Sequence, residues 1–168
     1  MPGLACHFSL KESDNKLLGK MINSLKHEKF HKVDTYADSN FAGSRIHLGI
    51  FNPEPQPVFN EDKSIYVFIE GKIYGYENEL NNLKNEGYRF LRENDAEFCL
   101  NSYIKNGKEF IKNLNGNFVI LIYDLRSKKV IIANDRFGFR VHYYCLHNDR
   151  LILSPEIKAI LQVDNFNK

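Results

Sequence analysis

The side chains best equipped for chemistry in this sequence are few and widely spaced. His27, His31 and Asp34 stand four and three residues apart, a spacing that would bring two imidazoles toward a carboxylate if a helix ran through them. No cysteine or further histidine stands near them in sequence, and Lys26–Asp34, KHEKFHKVD, reads as an exposed basic loop, so no metal site is expected. Cys6, Cys99 and Cys145 are odd in number and lack a C-x-x-C spacing. They indicate neither a disulfide framework nor a zinc cage and are expected to be small buried apolar residues. The most distinctive polar string is Asn134-Asp135-Arg136-Phe137-Gly138, an opposite-charge pair beside a glycine that can take a positive φ.

The elements that must position these groups are legible from periodicity. Phe118–Tyr123 is apolar at every position, which suits a strand covered on both faces. Asp124–Lys129 breaks the run, Val130–Ala133 resumes it, and a hairpin follows; Val141–Leu146 then predicts a further, aromatic-rich strand. Upstream, Ser13 or Asp14 caps a helix with Leu17, Leu18, Met21, Ile22 and Leu25 on one face. Tyr36–Phe51 alternates loosely and predicts strands, and Pro53, Pro55 and Pro57 make a stiff connector. Ser64–Ile69 is a strand running into the turn-like Glu70-Gly71-Lys72-Ile73-Tyr74-Gly75. A helix from about Gly75 to Glu86 ends at Gly87, and a second opens at Asp95, read as its N-cap, and carries Phe98, Leu100, Tyr103 and Ile104. Phe110, Ile111 and Leu114 make a short helix before the central hairpin.

Composition bounds the rest. With 168 residues, 43% hydrophobic and 26% charged, the chain has the size and balance of one soluble globular domain. A net charge of +2 gives no field that would argue for nucleic acid or an anionic membrane. The first twenty residues lack an apolar signal core and no run is long enough to cross a bilayer, so a cytoplasmic location is expected.

The run A-N-D-R-F-G-F-R-V-H-Y-Y at Ala133–Tyr144, followed by L-S-P-E-I-K-A-I-L at Leu153–Leu161, resembles the end of the glutaminase domain of asparagine synthetases, whose pattern is ARDRFGxxPLYY and then ASEIKALL. Met1-Pro2-Gly3-Leu4 resembles the opening M-C-G-I of that family, and Leu114-Asn115-Gly116-Asn117-Phe118 its L-x-G-x-F. The resemblance covers nearly the whole chain. It implies a class II glutamine amidotransferase domain with the N-terminal-nucleophile hydrolase fold, an α+β, four-layer αββα sandwich of two antiparallel sheets. That domain is expected over residues 1–162, with 163–168 opening a linker or tail.

The same resemblance assigns the pocket positions and shows them altered. Pro2 stands where the family has its nucleophilic cysteine; proline offers an amine after removal of Met1 but no thiol, so no catalytic residue is expected. Cys6 falls at the family's second glycine, inside the first strand. The arginine that clamps the glutamine carboxylate becomes His47, with Arg45 two residues earlier on the same strand face as a compensating candidate. In the family's N-G-E-I-Y-N the asparagine and glycine form the oxyanion hole and the glutamate grips the substrate amine; here the positions are Glu70, Gly71 and Lys72. Glu70 would face a developing negative charge with an acceptor, and Lys72 would repel the substrate ammonium. Asp95 is the one member of the glutamine-binding set carried over intact.

The resemblance therefore implies a glutaminase-like pseudoenzyme, the structural or docking half of an ATP-dependent, amide-forming enzyme such as a β-lactam synthetase or lasso-peptide cyclase. Two alternatives stand beside it: an enzyme using the Pro2 amine in the old glutamine pocket, and an active glutaminase supplying ammonia for asparagine synthesis. No S-G-G-x-D-S pyrophosphate loop is present, so no cofactor is expected in this chain, ATP and magnesium entering only with an attached or docked synthetase half. The implied partners are that C-terminal or separate synthetase domain and, as a further option, a second copy of the chain; neither nucleic acid nor membrane is expected.

Overall fold

The structure, a computed structural model, describes residues 2–164. They form two compact units, one from the residues up to Ile50 together with those from Arg140 onward, the other Phe51–Phe139.

In the first unit, β1 (Gly3–Ser9), β2 (Lys32–Ala37), β3 (Phe41–His47), β8 (Tyr143–His147) and β9 (Arg150–Ser154) make one sheet in the order β2-β3-β1-β9-β8, with every pairing antiparallel. Helix α1 (Asn15–Leu25) and the short α4 (Ile157–Ile160) accompany it. Asp14 is the N-cap of α1, its carboxylate accepting the Leu17 N–H at 3.0 Å, which settles the choice between Ser13 and Asp14. Leu17, Leu18, Met21 and Leu25 are buried as their spacing predicts, and Ala5, Ile46, Ile152, Ala159 and Ile160 complete that core. Val163 packs against the same cluster, so the expected tail from 163 starts inside the fold; residues 165–168 lie outside the described residues, as does Met1.

In the second unit, β4 (Val58–Phe59), β5 (Ile65–Tyr74), β6 (Asn115–Asp124) and β7 (Lys129–Asn134) form a sheet in that order, again antiparallel. Helices α2 (Glu77–Asn85) and α3 (Asp95–Asn106) and a 3-10 helix (Gly107–Asn113) supply its apolar cover. Phe118–Tyr123 is buried at every position, as an uninterrupted apolar run requires, and pairs with β5 on one side and β7 on the other. The chain is thus α+β with two antiparallel sheets, as the resemblance implies.

The hairpin after Asn117 lies in the four-stranded sheet, and the aromatic-rich strand that follows, starting at Tyr143, lies in the five-stranded one. Three expectations need correction. No turn interrupts Glu70–Tyr74: β5 runs straight through, Gly71 pairing with Phe118 at a φ of 114° that only glycine takes without strain. The segment with Phe110 and Ile111 is a 3-10 helix continuing from α3. Cys6 and Cys99 are buried, but Cys145 is only partly so, because it lies on the edge strand β8.

Candidate functional site

The position of Pro2 leads directly into β1, whose first residue Gly3 lies under Pro155 and His142; a Cβ there would stand 2.8 Å from Pro155 Cβ and 3.2 Å from His142 Nε2. His142 Nε2 accepts the Leu4 N–H at 3.1 Å while its Nδ1–H donates to the Arg140 carbonyl at 3.0 Å, and burial holds the ring below its usual pKa, so it is neutral. Sequence reading did not single out this histidine, and only the folded chain places it there. Cys6 is fully buried, paired with Gly43 on one side and Leu153 on the other, and burial pushes its thiol far up. No reactive thiolate forms in such a setting.

Arg45 and His47 do share a face, their side chains 3.2 Å apart, but neither is offered to a ligand in the manner of a carboxylate clamp. The Arg45 guanidinium is wholly buried and holds Asp34 through Nε at 3.0 Å and Nη2 at 2.9 Å. Asp34 also lies 3.4 Å from His47 Nε2, and burial with the neighbouring guanidinium holds that imidazole below its usual pKa. A strand-to-strand pairing puts Asp34 of β2 opposite Arg45 of β3, which is why the aspartate is spent there. Of the other residues weighed as metal ligands, His27 lies 2.7 Å from Glu156 and His31 stacks edge-on against Phe30; no group of three or more metal-ligating side chains is gathered among the described residues.

The second unit builds a tighter cluster around Asp95. Its carboxylate is completely buried and accepts from Lys72 Nζ at 2.6 Å, the Tyr76 hydroxyl at 2.6 Å, the Ile73 N–H at 3.0 Å and Asn52 Nδ2 at 3.1 Å. Asn52 also donates to the Gly71 carbonyl at 2.9 Å and accepts the Asp95 N–H at 3.2 Å, so it ties the start of α3 to β5. Burial first, and then the Asp95 carboxylate, push the Tyr76 phenol well up, fixing it as a donor. Asp95 is not the N-cap: that is Asn94, whose side chain accepts the Glu97 N–H at 3.0 Å, leaving the Asp95 carboxylate for tertiary donors. The pattern Asn94-x-x-Glu97 is a capping-box signature that names the cap from sequence. Glu97, however, reaches back to the N–H groups of Leu91, Arg92 and Glu93 and secures the preceding loop.

Lys72, expected to repel an incoming ammonium, instead places its own ammonium on the retained carboxylate. Glu70, next along β5, is 5% exposed and pairs with Val119 of β6. A cavity of about 170 Å³ lies beside this cluster, lined by Ile73, Tyr76, Glu79, Phe98 and Ser102 among others, but none of Glu70, Gly71, Lys72 and Asp95 lines it. No helix among the described residues is long and apolar enough to cross a membrane.

Comparison with known proteins agrees with this architecture. The family model described as a glutamine amidotransferase domain matches residues 1–168. The chain is 35% identical over 133 residues to glutamine-hydrolysing asparagine synthetase 2 of Bacillus subtilis, covering 79% of this chain and 17% of that protein. It is 30% identical over 130 residues to amidase chry2 of Gibberella zeae, covering 75% of this chain and 19% of that one. The chain thus spans less than a quarter of either relative's length. Among solved structures, glutamine phosphoribosylpyrophosphate amidotransferase of B. subtilis superposes with a TM-score of 0.71 at 16% identity, over 94% of this chain and 42% of that one. A match to the family model over residues 1–168 of the chain, together with these relatives, places the chain in the glutamine amidotransferase domain family.

Proposed function

We propose that this is a glutaminase-like domain without glutaminase activity, serving as the structural or docking half of an ATP-dependent, amide-forming enzyme of the asparagine synthetase type. The observation that carries it is the 2.6 Å ion pair between Lys72 and Asp95. The one member of the glutamine-binding set that the resemblance carries over intact, Asp95, already holds an ammonium from its own chain. Three further features support the reading: Pro2 offers no thiol, Cys6 is sealed in a strand, and Arg45 is committed to Asp34. The scaffold positions are kept meanwhile, from the apolar β6 run to the Asp135–Gly138 turn, in which the Gly138 N–H donates to the Asp135 carbonyl at 3.0 Å. Because relatives carry several times this length of chain, the partner in this reading is a synthetase portion, attached or separate, of the kind found in β-lactam synthetases or lasso-peptide cyclases.

The test is incubation of the purified chain with glutamine, followed by enzymatic assay of glutamate, and with an electrophilic glutamine analogue, followed by intact mass. The expected result is glutamate at the buffer background and no adduct. Glutamate release above background, or an adduct on the protein, overturns the proposal.

A further inference from the structure

Where β5 gives way to α2, the second unit holds its cavity of about 170 Å³, and the lining divides by depth. Ile73, Phe98, Phe110 and Leu114 are buried and make the floor. Asn106, Asn113 and Asn115 are exposed at the mouth, with Glu79 half-buried beside them. One polar group stands among the apolar ones. Ser102 follows Phe98 by one turn of α3, which puts both on the same face, and it is 2% exposed. It lines the cavity, and its hydroxyl is buried without a hydrogen-bond partner among the described residues. A serine inside a helix commonly returns its hydroxyl to the carbonyl one turn back; this one does not. The aromatic wall is already in place: Tyr76 stacks on Phe98 with ring centroids 4.2 Å apart, and Asp95 holds its hydroxyl at 2.6 Å.

We propose that this cavity is a binding site for a small phenol, a single uncharged aromatic ring whose hydroxyl pairs with Ser102 while the ring lies on the apolar floor. Volume sets the size: an apolar cavity of about 150 Å³ takes one benzene, so this one takes a ring with a small substituent. Charge sets the class. Among the described residues no Lys, Arg or His lines the cavity, and the one acid, Glu79, stands at the mouth. A carboxylate or phosphate would therefore be buried without a cation, at high cost. Ser102 sets the polar group, because one serine hydroxyl can both donate to and accept from one ligand hydroxyl. Phe98 and Phe110 favour a ring over an alkyl chain of equal volume, since aromatic pairs gain beyond the area they bury. A ligand of so few atoms binds with a Kd of roughly 0.1–1 mM. None of Glu70, Gly71, Lys72 and Asp95 lines the cavity, so the proposal goes beyond the proposed function and holds whether or not the domain hydrolyses glutamine.

The test titrates the 168-residue chain with phenol, toluene and benzoate, followed by saturation-transfer NMR. Phenol is expected to saturate with a Kd in that range, and benzoate to bind at least about tenfold more weakly. Ser102→Ala removes a hydroxyl that has no partner in the fold, so circular dichroism and melting should stay as they are. That variant is expected to weaken phenol about fivefold to tenfold and to leave toluene unchanged, a split that a general loosening of the unit would not produce. Ser102→Met, which fills the cavity from its wall, should abolish the binding of both; if it fails to fold, Ser102→Ala alone decides. Absence of saturable phenol binding up to about 10 mM, benzoate binding as tightly as phenol, or a Ser102→Ala variant that affects phenol and toluene alike overturns the proposal.

Discussion

The ammonium of Lys72 lies 2.6 Å from the buried carboxylate of Asp95, joining the C-terminal end of β5 to the first turn of α3. Asp95 also takes hydrogen bonds from Tyr76, Ile73 and Asn52, so four donors from three segments converge on one side chain. The pair is asymmetric, the carboxylate being wholly buried while the lysine is 36% exposed. Losing the two partners therefore has different consequences. Asp95→Ala takes the acceptor from Lys72, Tyr76 and the Ile73 N–H, while Asn52 keeps the Gly71 carbonyl, and is expected to cost about 3–5 kcal/mol, whereas Lys72→Met leaves three donors in place and is expected to cost about 1–2 kcal/mol. Urea denaturation of both variants checks the ordering; equal losses would show that the cluster does not organise this unit.

The same ion pair predicts how glutaminase chemistry would respond to repair. Pro2→Cys alone is expected to stay at the glutamate background, because Lys72 still covers the retained carboxylate. Combining it with Lys72→Glu and Glu70→Asn, which removes the covering cation and supplies a neutral donor, is expected to raise glutamate release measurably above that background. Turnover by Pro2→Cys on its own would show that the cation on Asp95 is no obstacle.

Stability should fall in mild acid, and two histidines give the reason. Burial holds His7 and His142 below the ordinary value, and each makes hydrogen bonds that suit the neutral ring. His7 Nε2–H donates to the Asp14 carbonyl at 2.8 Å, while its Nδ1 is buried without a partner, so a proton added there would have no acceptor. A histidine whose folded pKa is lowered binds its proton more readily when unfolded. The stabilisation is therefore complete above about pH 6.5 and is lost as pH falls below it, by at most about 1.4 kcal/mol per pH unit for each ring. Melting temperatures between pH 8 and 5 measure this; a flat profile would contradict the neutral assignments.

Gly3 should be intolerant of even a methyl group. A Cβ would meet the Pro155 ring at 2.8 and 2.9 Å, and the proline ring cannot swing aside. Gly3→Ala is expected to destabilise by about 1–3 kcal/mol, while Gly19→Ala, in α1 with nothing near its Cβ, should be neutral or stabilising. Thermal melts of the two variants make the comparison.

Much of the scaffold could be read before any coordinates. The Phe118–Tyr123 run, the Leu17–Leu25 stripe and the Asp124–Lys129 break each express a single local rule, periodicity or turn chemistry, and each element forms where that rule puts it. The site was legible only as positions. That Asn52, one residue before a proline, would bridge Gly71 and Asp95 has no local signature, since its partners are 19 and 43 residues away. Lys72 misled for a related reason: a charge in sequence announces its sign, and its partner is set by which segment the fold brings within reach.

The sequence alone determined the family, the two-sheet architecture with its helices, and the loss of a thiol at position 2, because these rest on residue type and local pattern. Tertiary structure alone decided what the surviving polar side chains do: Arg45 with Asp34, Lys72 with Asp95, and His142 with the Leu4 amide. The physical reason is that a buried charge or donor must find a partner, and which partner it finds depends on distances between segments remote in the chain.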